Sequence, residues 1–340
     1  RSWDMGLRIR GFDDSYEMTI KTAGKVVAGL HQRPEYNVSL SRPELDLSLF
    51  PADIWPQDCD LDALQAALKP LFRTDFVREK WLITFQDSEI ELGLDQGEVT
   101  AGELSEPLSE IELEIKQGNT ADLLALASLV GKNGGLRLGG LSKAARGYHL
   151  AQGNLLRESR TLPVFHAAPK ATVEQALSGM LEMALSHWQY HEELWVRGDK
   201  AARITVLQAV ETVRQVLVIY GGLIPRKATT ELRALLTELA EQLEQKGTDA
   251  QTLCLSASYL KCKLVLTSWL ATAGWKPFID DKSQKKLDGS FKRFADIILG
   301  RTAADLKEAF AQSLSEEGFR DQLARLKRQI ISFHLLSGAY

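Results

Sequence analysis

Six stretches of this sequence place charged side chains two or four residues apart. They are Arg8 and Arg10; Glu17 with Thr19 and Lys21; Arg33 and Glu35; Arg78 and Lys80; Glu89 and Glu91; and Glu110, Glu112 and Glu114. Side chains two apart on an extended strand point to the same face, so each stretch gathers charge on one side. Guanidinium groups bind phosphate oxygens as a fork, and lysine adds a compact positive charge. Arg8, Arg10, Lys21, Arg33, Arg78 and Lys80, joined by Lys143 and Arg146 from the run Ser142-Lys143-Ala144-Ala145-Arg146-Gly147-Tyr148, are therefore candidates for holding an anion with several phosphates close together. The acids carry a second chemistry. Glu112 and Glu114 share a strand face, and Glu91 and Asp95 lie near another strand end. Hard divalent cations such as Mg²⁺ take oxygen ligands and share them with substrate phosphates. A carboxylate free of metal can position or deprotonate a water. The alternative is that each acid only neutralises a basic neighbour and that the charged faces are solvated.

These residues need strands to position them. Leu7–Arg10, Tyr16–Lys21, Arg33–Leu40, Val77–Phe85, Glu89–Leu94 and Glu110–Ile115 alternate apolar and polar residues, the period of a strand. Gly11, Gly24, Gly29, Asp87-Ser88 and Gly97 are the expected breaks between runs. Two faces remain open for the charged side: solvent, or the inside of a closed barrel around a polyanion and its metal. Asp60–Leu71 and Thr120–Asn133 read as helices.

From Thr172 the period becomes helical. Val173, Ala176, Leu177, Met180, Leu181, Ala184, Leu185 and Trp188 recur at three- and four-residue spacing. Further helices are expected over Ala201–Tyr220, Thr229–Lys246, Ala250–Ala273, Ser290–Ile298, Ala303–Ala311 and Arg320–Leu336, which together predict a bundle. The fold class is α+β, with a strand domain over 1–152, a linker over 153–170 and an all-α domain over 171–340.

Composition bounds the rest. The chain has 340 residues, 44% hydrophobic and 25% charged, with a net charge of −4. It is neither disordered nor collagen-like, and a general nucleic-acid coat is not expected. Three scattered cysteines, Cys59, Cys254 and Cys262, give no disulfide framework and suit a reducing compartment, with the cytoplasm as the default. The most apolar run, Val206–Ile224, is interrupted by Glu211 and Arg214, so no membrane span is expected. His187 and His191 have a metal-like spacing but no Glu or Cys to complete a zinc site, so packing with Trp188 and Trp195 is expected. Gly134-Gly135 and Gly139-Gly140 lack the spacing of a phosphate loop. Cys254 and Cys262, eight apart on one expected helix, cannot bridge.

Leu7–Arg10, Glu17–Lys21, His31–Asn37, Phe76–Trp81, Glu89–Gly97, Glu110–Glu114 and Ser142–Tyr148, read as strand motifs, resemble the CYTH domain of the triphosphate tunnel metalloenzymes. The helical remainder is similar to the CHAD domain, and the pair resembles the two-domain CYTH–CHAD inorganic triphosphatases. The resemblance implies an eight-stranded antiparallel tunnel and metal-dependent hydrolysis of tripolyphosphate to pyrophosphate and phosphate with Mg²⁺ or Mn²⁺. It implies phosphate contacts for the eight basic residues above, a metal near Glu112 and Glu114, and a water near Glu91 or Asp95. It also raises polyphosphate as a partner of the helical domain.

Two features depart from the family pattern. The opening Glu-x-Glu-x-Lys strand is absent, and Glu112-Leu113-Glu114-Ile115-Lys116, though spelled alike, stands at the later acidic strand. The expectation is a window that lacks its first strand and its C-terminal residues. In the helical half, Ile204–Tyr220 keeps little of the usual basic cluster beyond Arg214, while the last helix keeps Arg320, Arg325, Lys327 and Arg328. Other activities fit the same architecture: a class IV adenylate cyclase, a thiamine triphosphatase, or a non-catalytic polyphosphate-binding scaffold. No aromatic residue stands out as a nucleobase contact.

Overall fold

The computed structural model describes every residue except Arg1, Ser2, Asp4, Ala28, Leu156 and Gln312. Eight strands come first: β1 (Gly6–Phe12), β2 (Ser15–Lys21), β3 (Lys25–Val27), β4 (Leu30–Gln32), β5 (Glu35–Leu40), β6 (Arg73–Phe85), β7 (Ser88–Ala101) and β8 (Leu104–Gln117). The helices are α1 (Leu61–Ala67), α2 (Thr120–Val130), α3 (Lys143–Ala151), α4 (Val173–Val196), α5 (Ala202–Ile219), α6 (Thr230–Glu244), α7 (Ala250–Cys254), α8 (Ala257–Ala271), α9 (Asp281–Leu287), α10 (Phe291–Ala309) and α11 (Glu316–Leu336). The α+β class with strands preceding a helical region is as expected.

The closed tunnel is not. Among the described residues the strands form three separate sheets, ordered β1-β2-β5, β3-β4 and β6-β7-β8. A barrel requires every strand to have two partners. Here β1, β5, β6 and β8 each have one, so the ring is open. Strand limits also differ from expectation. Pro34, which has no N–H to give a ladder, separates β4 from β5, so Arg33 lies outside a strand. β7 runs straight through Gly97, because glycine there serves close approach rather than a turn. A Cβ on Gly97 would lie 2.0 Å from the Asp75 carbonyl oxygen and 2.5 Å from Phe76 Cα.

Two compact units divide the chain, each discontinuous. One holds residues 1–79, 94–111 and 141–155; the other holds 80–93, 112–140 and 156–340.

In the first unit, antiparallel register sets Leu7 opposite Ile20 and Ile20 opposite Tyr36, with Ile9, Met18 and Val38 on the next apolar row. Met18, Ile20 and Phe50 are buried with Leu7, Tyr36, Val38 and Trp55 around them. The opposite face carries Arg8, Arg10, Glu17, Thr19, Lys21, Glu35 and Asn37. The segregation of charge read from the alternation is therefore present in this sheet. A second core joins Val99, Ala101, Leu108 and Leu150 with Phe72 and Phe76. Ser142–Tyr148, grouped with the strand motifs, is instead the cap and body of α3. The Ser142 side chain accepts from the Ala145 N–H, which satisfies an otherwise unpaired first-turn donor.

The helical unit is built on α4. Its Thr172–Gln175 capping box is complete, and its predicted apolar stripe is buried throughout. α4 packs along α5, α5 against α6 and α11, and α6 against α8. In the helical unit α9 was not expected, α11 starts four residues before Arg320, and two further limits differ from the sequence reading. The expected Ala250–Ala273 helix breaks at Leu255, where Ser256 caps α8 through the Tyr259 N–H. Cys254 and Cys262 therefore sit on different helices, both buried and unpaired. The two short helices expected around Gly300 are one, α10; a single glycine costs a helix only about 1 kcal/mol relative to alanine.

Candidate active site

Asp95 is the centre of the charged cluster in the first unit. It lies on β7 with no exposed surface. Arg78, from β6, addresses it as a fork: Nε donates to Oδ1 and Nη2 to Oδ2, each at 2.5 Å. Lys143 Nζ, from the first turn of α3, stands 2.6 Å from Oδ2. Burial alone would raise the Asp95 pKa. The hydrogen bonds and charges of Arg78 and Lys143 outweigh it and hold the carboxyl below its ordinary value of 3.8. Asp95 is thus an anion that joins two cations.

The cluster extends along β8. Lys143 also donates to Glu110. Arg146, one turn further along α3, donates to Glu106 Oε1 from Nε at 3.2 Å and Nη2 at 2.9 Å, and to the Pro107 carbonyl at 2.8 Å. Its Nη1 is 3.8 Å from Glu110 Oε2. Glu106 and Glu110 were not singled out as site residues from sequence. Glu110 had the signal, since it shares a face with Glu112 and Glu114. Glu106 did not, because Pro107 interrupts the pattern beside it.

Three carboxylates could hold a cation. Asp95, Glu110 and Glu112 each offer one oxygen, and these lie within 4.8 Å of one another. An all-oxygen donor set suits a hard divalent ion. Glu112 is the next same-face position after Glu110 on one continuous strand. Glu114, two further on, pairs with Lys116 at 2.9 Å.

The remaining sequence candidates fall elsewhere. Glu91 lies between two lysines, 3.6 Å from Lys80 and 3.8 Å from Lys116, both beyond hydrogen-bond length. On the first sheet Arg8 stands opposite Thr19 and Arg10 opposite Glu17. Thr19 is fully buried and donates to Asn37 at 2.7 Å. Lys21 pairs with Glu35. Arg33 is exposed, its side chain lying over Gly24.

In the helical unit His187 and His191 are buried, and their rings meet each other. The His187 and His191 rings are 4.3 Å apart. His191 donates from Nδ1 to the His187 carbonyl at 2.8 Å and accepts the Arg160 N–H at Nε2 at 3.0 Å. Burial, then His191 and Arg160, depress the His187 pKa from 6.5 to about 4. The folded unit keeps this imidazole neutral while an unfolded chain protonates it. Its contribution is complete above pH 6.5 and is lost as pH falls from 6.5 to about 4. The unfolding free energy from urea titrations is expected to drop over that window, by up to about 3 kcal/mol at the acid end. His187→Phe should flatten the slope; an unchanged slope would show that the proton goes elsewhere.

Comparison with known proteins assigns both halves. The CYTH domain matches residues 1–148, and the CHAD domain matches residues 179–340. A Haemophilus influenzae protein named inorganic triphosphatase is 42% identical over 154 residues, which is 45% of this chain and 43% of that protein. The chain therefore aligns with less than half of the length of that relative. No helix among the described residues is long and apolar enough to cross a membrane. The charged strand faces, Lys143 and Arg146 all lie within the first match, so this chain carries a CYTH domain followed by a CHAD domain.

Proposed function

We propose that the chain hydrolyses inorganic tripolyphosphate to pyrophosphate and phosphate with Mg²⁺ or Mn²⁺. The observation that carries this reading is the row of three cations, Arg78, Lys143 and Arg146, set against Asp95, Glu106 and Glu110 in the CYTH-matching region. The activity named for the Haemophilus influenzae relative supports it. The functional division we adopt is 1–152, a linker over 153–170, and 171–340. The three unpaired cysteines suit the cytoplasm.

In this mechanism Arg78, Lys143 and Arg146 exchange their carboxylate partners for phosphate oxygens. Arg8, Arg10, Lys21, Arg33 and Lys80 complete the phosphate contacts. Phosphoryl transfer is catalysed mainly by positioning and by stabilising charge on the transferred group, which is what such cations supply. Glu112, with Glu110 beside it, would hold the divalent ion, which when bound neutralises charge on phosphate oxygens, and Glu114 would join them on leaving Lys116. Of the acids expected near the water, Glu91 fits better, because its side chain is 21% exposed while Asp95 has no exposed surface. Glu91 would then orient the attacking water and hold its proton.

The test is phosphate release from tripolyphosphate with and without Mg²⁺ or Mn²⁺, beside ATP, thiamine triphosphate and long-chain polyphosphate. Metal-dependent release restricted to tripolyphosphate is expected. Arg10→Ala, Arg146→Ala and Glu114→Ala should each lower kcat/KM by about 10²-fold or more. Preference for ATP or thiamine triphosphate would move the assignment to a cyclase or a thiamine triphosphatase. Polyphosphate binding in EDTA with no release would replace the enzyme by a scaffold.

A polyphosphate contact on the helical unit rests on a separate observation. Burial, then the nearby Arg226 and Arg214, pull the Arg233 pKa down, so the Arg233 guanidinium is repelled by two others. Only Arg214 has an acid within ion-pair distance among the described residues, Glu211 at 2.5 Å. Such a cluster gains from an added anion.

A further inference from the structure

We propose that Phe76 is a positioning residue that seats Arg78 and Lys143 for phosphate, an inference that rests on the triphosphatase reading above. The Arg78 guanidinium carbon lies 5.6 Å from the centre of the Phe76 ring, and Lys143 Nζ lies 5.1 Å from it. Both distances fall within the range where a ring face attracts a cation. One aromatic ring thus serves two cations that reach it from different elements, β6 and α3.

The ring is itself fixed from below. Phe76 packs against the buried Val99, Ala101, Leu108 and Leu150. β7 presses close to it because Gly97 has no side chain: a Cβ there would lie 2.7 Å from Phe76 Cβ. Phe76 and Arg78 are two apart on β6 and so share a face.

What distinguishes Phe76 from the other holders of these cations is charge. Asp95 and Glu110 also hold them, but each is an anion and repels an incoming polyphosphate. The ring attracts cations through its quadrupole and carries no net charge. When Arg78 and Lys143 leave their carboxylates for phosphate oxygens, the ring remains beneath them at no electrostatic cost to the ligand. Both cations are mostly buried, with side chains 19% and 15% exposed, where water screens the ring little.

The test is a series at position 76 in the 340-residue chain. Mono-, di- and trifluorophenylalanine drain the ring's negative face with little change of shape. Phe76→Tyr keeps the ring, and Phe76→Leu removes it. The readouts are kcat and KM for tripolyphosphate, and tripolyphosphate affinity in EDTA by calorimetry. KM and the dissociation constant should rise stepwise with fluorination, to about three- to tenfold for the trifluoro ring and for leucine. Tyrosine should stay near wild type, and kcat should change less than the binding terms. A wild-type protein that turns over tripolyphosphate while the fluorinated series stays flat overturns the role of Phe76 alone. A wild-type protein that neither hydrolyses nor binds tripolyphosphate overturns the triphosphatase reading and this inference with it. The fluorinated series decides the matter if the leucine variant fails to fold.

Discussion

Asp95→Ala is expected to lower the stability of the strand unit by about 3 kcal/mol, measured as the shift in the urea or thermal transition. Asp95 has no exposed surface, and Arg78 and Lys143 lose their shared anion with it. Removing one partner of a buried ion pair leaves the other charge uncompensated, and that cost exceeds the net worth of the pair. The partial exposure of the two cations keeps the loss at the low end. Asp95→Asn keeps one acceptor oxygen for Arg78 and should cost less than alanine. Equal losses for the two variants would mean that the carboxylate charge does little, and that the site is held by shape. Because Asp95 also sets the positions of two proposed phosphate ligands, turnover should fall in both variants, more in alanine.

A second large effect is expected in the helical unit. Glu192 and Lys263 have side chains 0% and 1% exposed and form a 2.7 Å ion pair. Glu192 also accepts from the Tyr259 hydroxyl at 2.7 Å, and Tyr259 in turn accepts from the Trp188 indole N–H at 2.7 Å. Arg137 Nη1 approaches the other Glu192 oxygen at 3.5 Å. Glu192→Ala leaves Lys263 charged or forces it to give up its proton. Either outcome is expected to cost about 3–5 kcal/mol in equilibrium unfolding. Adding Lys263→Met should recover most of this, since well-packed apolar replacements of buried pairs are often neutral. If the double variant is no more stable than the single one, the loss is a packing defect and not an orphaned charge.

Particular residues mark where the sequence was legible. The charged row of Arg8, Arg10, Glu17 and Lys21 followed from alternation, because side-chain direction on a strand is fixed by parity. The α4 stripe followed from helical period for the same reason. Sheet order did not follow: parity says which face a residue takes, not which strand lies beside it, and closure was inferred from the charged faces and from resemblance. α3 was missed because nine residues give little periodicity. Its start was nevertheless written in Ser142, a capping residue followed by helix formers. The break at Leu255 had the same kind of signal in Ser256. Glu192 and Lys263 were overlooked as a pair because each looks like an ordinary polar interruption of an apolar helix. Only the packing of α4 against residues from α8 reveals that both fall on buried positions. Phe76 was visible as an aromatic beside Arg78, but its second cation comes from a distant segment.

The loop after α2 has a bearing on how this protein can be taken apart. Residues 131–140 are fastened to the helices at several points. The Gly135 N–H donates to the Leu255 carbonyl at 2.7 Å. Arg137 Nη2 donates to Glu193 at 2.7 Å, and Gln189 donates to the Leu138 carbonyl at 3.2 Å. Leu124 shares a buried cluster with Leu260 and Leu264, lined by Leu136 and Leu138. The CHAD match begins only at residue 179, so a fragment trimmed to it would arrive without α2 and this loop. It would open the Leu260–Leu264 surface to water and strip Glu193 of a partner. Excision at a family border would therefore yield an aggregating piece, whereas one that retains residues 112–140 keeps its own wall.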